Sequence, residues 1–329
     1  MDSQAIYRRR WLILSVLIVG LLAIVIDNTV LNVALKTIAQ PHGGLGASQS
    51  QLEWAINSYT LVFAGLLFTF GVIGDKFGRK RMLMIGLALF GIASLLSAYS
   101  RSPEQLIFAR AAMGLGGAAV MPQTLSIISH VFEPAERPRA IGLWAMAVGL
   151  GIATGPVLGG LLVESSWRWI FLINLPVILA ALTAGAVILP QSGAQRAGRR
   201  GGHRPGWRID GVGTFLVLGS VGLVCTALTE APGWPPARTW PVLAAGLVLA
   251  TAFVAHIRRH PDPLVAPRLF SARAFSAGAA GLVTYYTGFA AMLLGTTLLL
   301  TAHWHSSVLH AAVSIAPGPI TAGIVSPFI

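Results

Sequence analysis

Ten runs of apolar residues dominate the chain: 11–35, 54–73, 82–99, 106–128, 140–163, 170–189, 211–228, 241–257, 275–301 and 308–329. Most match the roughly 20 residues that cross about 30 Å of hydrocarbon at about 1.5 Å per residue. A backbone in lipid has to satisfy its own hydrogen bonds, which restricts spanning structures to helices and closed barrels. These runs are too long for barrel strands and lack their strict alternation. The expected fold class is therefore all-α integral membrane, with ten helices. Only 10% of residues are charged, against about a quarter in a soluble domain.

The first run follows Arg8, Arg9 and Arg10, is 25 residues long and has no small-residue cleavage site. It reads as a retained span, since a signal-peptide core is shorter. Cys225 is the single cysteine, which excludes a disulfide framework and a paired-cysteine metal site.

A formal net charge of +12 raises the question of a nucleic-acid partner, and the placement of the cations answers it. With the N-terminus inside, 18 Lys and Arg fall in cytoplasmic segments, 4 outside (Lys36, Arg101, Arg168, Arg238), and Arg110 within a span. Positive residues are retained on the cytoplasmic side, so topology accounts for the basic excess and no nucleic acid is needed. The Gly/Arg-rich stretch GAQRAGRRGGHRPGWR belongs to a basic cytoplasmic linker, 191–209.

That linker divides the chain. A six-helix bundle is expected over 1–190, and many secondary transporters build such a half from two inverted three-helix repeats. Beyond the linker, the helix pair over 210–258 and the two spans within 259–329 make an incomplete second half. The last run stops at SPFI without a polar end, so the expectation is a fragment of a longer protein.

Two charges lie within spans. Asp27 is about 16 residues, roughly 24 Å, along the first span. Arg110 is about 6 Å from the outer end of the fourth, which runs the other way. Both fall in the outer half of the bilayer, on spans that occupy corresponding positions in an inverted repeat and line its cavity. A charge at a helix centre costs about 2.5–3.5 kcal/mol on insertion scales, so such residues face a cavity or one another. The geometry allows them to pair. Desolvation and a neighbouring cation shift a carboxyl in opposite directions, which equips an acid in this setting to change protonation as its surroundings change.

The segment GVIGDKFGRKRML, residues 71–83, resembles the signature loop between the second and third helices of the major facilitator superfamily. The match includes Gly71, Gly74, Asp75, Lys76, Gly78, Arg79 and Lys80. VIDNTVLNVAL is similar to the first-helix motif of drug:proton antiporters, carrying Asp27, Thr29 and Asn32, although Lys36 stands where a proline is usual. LIFARAAMGLGGAA resembles the fourth-helix motif through Arg110, Gly114 and Gly117, with Met113 in place of a frequent glutamine. GLGIATGPVLGG is similar to the antiporter motif of the fifth helix at Gly151, Gly155, Pro156, Gly159 and Gly160. SWRWIFLINLP and HPDPLVAPRLF are similar to the fourteen-helix drug-exporter branch.

The resemblance implies a major-facilitator bundle in which the seventh and eighth helices are an inserted pair. It also implies proton-coupled efflux of apolar or cationic drugs by alternating access, with no enzymatic activity. Asp27 and Arg110 are the expected proton-coupling residues. Gly71, Gly74, Asp75, Gly78, Arg79 and Lys80 form the expected gate loop, with Asp75 and the cations holding one conformation closed. Gly151, Gly155 and Gly159 recur every fourth residue, a face for close helix approach; with Pro156 they predict a bent helix at an interface between halves, and APGP at 316–319 is its expected counterpart. Asn32, Tyr59 and Gln123 are the candidate cavity residues, with a packing role equally open to each. The expected partners are a small drug-like molecule, protons, the bilayer and missing C-terminal helices or accessory export proteins; no cofactor or metal is expected. His303, His305 and His310 lack an acid at metal-ligand spacing and read as interfacial polar residues. Two other functions stay open: metabolite transport on the same fold, and a non-transporting interaction subunit.

Overall fold

The computed structural model describes residues 3–190, 210–261 and 263–304, with the isolated positions 314, 317, 318 and 321. In chain order the helices are α1 (Ser3–Arg8), α2 (Arg10–Ile38), α3 (Gln49–Phe77), α4 (Arg79–Ala98), α5 (Pro103–Val131) and α6 (Arg137–Ser165). They continue with α7 (Trp169–Leu172), α8 (Asn174–Ile188), α9 (Gly211–Glu230), α10 (Pro236–Arg259) and α11 (Arg273–Leu298). Among the described residues, eight helical segments are long and apolar enough to cross a membrane, α7 and α8 together forming one of them.

Most helices outrun the apolar stretches that predict them, because polar end residues continue a helix beyond the hydrocarbon. α3 begins five residues before the apolar run at 54, under a capping box. The Ser48 side chain accepts from the Gln51 amide at 3.3 Å, and the Gln51 side chain accepts from the Ser48 amide at 2.9 Å. α5 starts on a Ser102 cap with Pro103 in its first turn, where a missing amide proton costs nothing. Gly78, at φ 106°, ends α3 and opens α4, a conformation that glycine adopts without steric penalty.

One expectation changes. The sixth run is two helices joined at Ile173, not one. The ninth is helical from Arg273 to Leu298 and then winds as a π-helical turn, Leu299–His303. The tenth run, the linker 191–209, His305 and His310 lie outside the described residues, as does APGP apart from Pro317 and Gly318.

Lipid tails are as apolar as leucine, so close packing and hydrogen bonds hold membrane helices together. α5 presses between α3 and α4. A Cβ on Gly114 would strike the Tyr59 backbone, and one on Gly116 would sit 2.7 Å from the Phe90 nitrogen. α2 lies along α6: Gly151 meets Val25, Gly155 meets Thr29, and Gly159 meets Val30 and Val33. The glycine face thus joins two helices of the same six-span half. Pro156 and the half-buried Gly160 sit in the same helix.

α9 runs antiparallel to α3 and is joined to it by polar contacts along its length. Glu230 accepts from Ser50 Oγ at 2.5 Å and Trp54 Nε1 at 2.9 Å, Asn57 donates to Thr229 at 3.0 Å, and Thr69 and Thr214 share a buried 2.8 Å bond. Between these, Leu218 fills the space beside Gly65. α10 packs against α9 through Gly246, whose carbonyl accepts from Ser220 at 2.9 Å.

Candidate functional site

The glycine contacts of α5 set where Arg110 lies. With Gly114 against Tyr59 and Gly117 near Phe63, α5 approaches α3 closely enough for Arg110 Nε to donate to the Ala55 carbonyl at 3.1 Å. Arg110 Nη1 donates to Asp27 Oδ2 at 2.5 Å, and the guanidinium lies 4.4 Å from the centre of the Tyr59 ring. Arg110 is 0% exposed and Asp27 2%, so both charges are removed from lipid and solvent alike. The first and fourth spans meet through this pair, as the sequence allows. Asp27 lies 11 residues, about 17 Å, from the end of α2, and Arg110 7 residues, about 11 Å, from the start of α5; the long arginine side chain bridges the difference.

Sequence reasoning missed the rest of the constellation. Asn174, at the start of α8, donates to Asp27 Oδ1 at 2.9 Å and to Ser94 Oγ at 3.0 Å, and Ser94 donates to the Phe171 carbonyl at 2.8 Å. Asn174 is an ordinary polar residue in SWRWIFLINLP, and the break at Ile173 turns it inward. Asp27 therefore accepts from α5 and α8 at once, one partner on each oxygen. The second terminal nitrogen of Arg110, Nη2, is buried without a hydrogen-bond acceptor among the described residues.

The candidate cavity residues separate. Asn32 is exposed on α2, as is Asn28 one turn earlier. Tyr59 is buried, stacked on Phe63 at 5.8 Å beneath Arg110. Gln123 is also buried: it donates to the Phe70 carbonyl at 2.8 Å and packs on Gly74. Of the two roles open to them, Tyr59 and Gln123 occupy packing positions here, because α3 and α5 approach too closely to leave either side chain open.

The signature loop is assembled by the same packing. Gly71 faces Pro122, and Gly74 faces Gln123, both on α5. Asp75 accepts from Arg79 Nε at 2.9 Å across the Gly78 bend, and Arg79 Nη1 donates to the Ser126 carbonyl at 3.2 Å. Lys80 donates to the Ala186 and Leu189 carbonyls at 2.7 and 2.8 Å, capping the C-terminal end of α8. The loop thereby ties the α3–α4 junction to α5 and to α8. On the same end of the bundle Arg10 donates to Glu136 at 2.9 Å, tying α2 to the entry of α6.

A second polar cluster gathers where α9 begins and α10 ends. Asp210 accepts from the Gly213 amide at 2.7 Å and the Leu264 amide at 3.0 Å, and pairs with His256 at 2.8 Å. Burial pushes its carboxyl upward, yet these three partners together hold it below the ordinary aspartate value. His260 lies beside His256, ring centres 4.9 Å apart.

Eight membrane-capable helical segments among the described residues, with a buried acid–base pair between them, define a class, the multi-pass membrane protein. The chain belongs to the Major Facilitator Superfamily, whose sequence model matches residues 17–329. It is 38% identical to the puromycin resistance protein pur8 of Streptomyces alboniger over 80% of this chain and 51% of that protein. It is 34% identical to the probable actinorhodin transporter of Streptomyces coelicolor over 94% of this chain and 54% of that protein. The chain thus spans about half the length of the curated relatives it matches. Its fold is also that of the proton:xylose symporter XylE, with a TM-score of 0.62 at 14% identity over 99% of this chain and 68% of that one.

Proposed function

We propose that the chain serves proton-coupled efflux of drug-like molecules across the cytoplasmic membrane by alternating access, with Asp27 as the proton carrier. The observation that carries this reading is the Asp27–Arg110 pair, an acid and a base buried together inside the membrane. A packing device has no need of ionisable groups there, since such groups are costly in lipid and mark ion pathways. Protonation of Asp27 removes the charge that Arg110 and Asn174 both address, so one proton alters how α2 is held against α5 and α8. That change is the means by which a proton biases one packing of the bundle over another.

The relatives' names, a puromycin resistance protein and a probable actinorhodin transporter, support an apolar or cationic drug as cargo. The exposed Asn28 and Asn32 offer amide groups to it, beside the glycine-joined α2–α6 pair. α9 and α10 serve as the inserted pair between two bundles. The N-terminus and the linker 191–209 are cytoplasmic, and Asp75, Arg79 and Lys80 hold the cytoplasmic side closed in one state.

The test is efflux of a fluorescent drug from energised cells expressing the protein. Asp27→Asn preserves size and hydrogen bonding while removing titration. It should leave the protein folded and in the membrane but abolish export driven by a proton gradient. Undiminished gradient-driven export by a well-folded Asp27→Asn variant rules out Asp27 as the carrier.

A further inference from the structure

We infer that Asp210, His256 and His260 form a binding site for a divalent transition metal of the zinc class, placed where α9 begins and α10 ends. Each residue offers one ligand atom, a carboxylate oxygen or an imidazole nitrogen, and the three atoms all lie within 4.8 Å of one another. Zinc at about 2.0–2.1 Å from each ligand in a tetrahedral site sets neighbouring donors about 3.3 Å apart. Asp210 Oδ1 and His256 Nε2 already stand 2.8 Å apart, so a metal between them needs only a slight spreading. His260 closes the remaining gap by turning its half-buried side chain.

The donor set and its surroundings suit this chemistry. Imidazole with carboxylate is a zinc donor set, and three protein ligands leave a fourth position for water. His256 and His260 are four residues apart, one on the last turn of α10 and the other its capping residue, so both rings project from one side. Ligating carboxylates are held by outer hydrogen bonds; here the Gly213 and Leu264 amides orient Asp210. The neutral His256 imidazole frees Nε2 for the metal by carrying its proton on Nδ1, and the Asp210 carboxylate offsets one of the two positive charges of the ion. Arg258 and Arg259 are exposed, where solvent screens their repulsion.

The location gives the site a consequence independent of the transport reading. Asp210 directly follows the basic linker, His256 and His260 end α10, and Leu264 lies on the path to α11. Because α9 is antiparallel to α3, the cluster sits on the end of the bundle that carries Arg79 and Lys80. A metal there staples the start of α9 to the end of α10, and the Leu264 amide ties the following segment to the same carboxylate.

Zinc and cobalt, offered to the purified full chain in detergent after chelator treatment, test the assignment. Equilibrium dialysis should show about one bound zinc per chain dependent on these residues, and the cobalt form should show the visible absorption of a four-coordinate site. His260→Ala and His256→Ala should each weaken binding by more than the roughly 10–100-fold typical of outer-shell changes. His260→Ala should lose the zinc-dependent rise in unfolding temperature that the wild type shows. No zinc retained by the folded wild type, or zinc retained equally by both histidine variants, overturns the proposal.

Discussion

Arg110 places one terminal nitrogen 2.5 Å from Asp27 Oδ2 and its Nε 3.1 Å from the Ala55 carbonyl, so a single guanidinium joins α5 to both α2 and α3. Removing one member of a buried ion pair leaves the other charge uncompensated, at a cost of about 3–5 kcal/mol. Arg110→Ala is expected to lose stability on that scale in unfolding measurements in detergent. Arg110→Lys should fall between it and wild type, because an ammonium keeps the charge but not the planar reach to both oxygens or the stacking on Tyr59. Equal stability of all three proteins would show that the pair does not hold the bundle.

The α2–α6 contact yields a coupled pair. A methyl group on Gly155 meets the side chain of Thr29, and overpacking of this kind costs about 1–3 kcal/mol. Gly155→Ala should destabilise, and Thr29→Ala should recover part of the loss in a double-mutant cycle. Additive effects of the two changes would remove the contact from the account of packing.

Lys80 caps α8 from another helix through the Ala186 and Leu189 carbonyls. Lys80→Ala should speed amide hydrogen exchange over 185–190, since opening that last turn costs less without the cap. Exchange unchanged there, with exchange elsewhere also unchanged, would mean the cap contributes nothing.

The docking of α9 on α3 is open to cross-linking. Thr69 and Thr214 oxygens lie 2.8 Å apart in a buried contact, so Thr69→Cys with Thr214→Cys in a Cys225→Ser background should form a disulfide under mild oxidation. Failure to cross-link, where each single cysteine is present and folded, would place α9 elsewhere.

Orientation is tested by impermeant thiol labelling of Gly201→Cys in the same background. Because 18 of the 22 loop cations then lie inside, labelling is expected only after permeabilisation. Labelling from outside intact cells would reverse the topology.

The sequence by itself determined the class of the molecule and the positions of eight spans among the described residues, because the bilayer imposes on each helix a length and an apolarity that need no partner to be recognised. It also singled out Asp27 and Arg110, since an ionisable residue within a span is conspicuous in one dimension. Helix ends were less legible: Ser48 and Ser102 extend α3 and α5 through local capping that hydropathy does not register. The tertiary structure decided which faces meet. A glycine stripe states that some helix comes close, and only the packing shows that for Gly155 it is α2 carrying Thr29. Tyr59 and Gln123 are polar and lie in spans, like Asn32, yet they are buried because small residues on α3 and α5 bring those helices together. Asn174 joins Asp27, and His256 joins Asp210, across 147 and 46 residues of chain; such pairings arise from the crossing of separate helices, which local sequence does not encode.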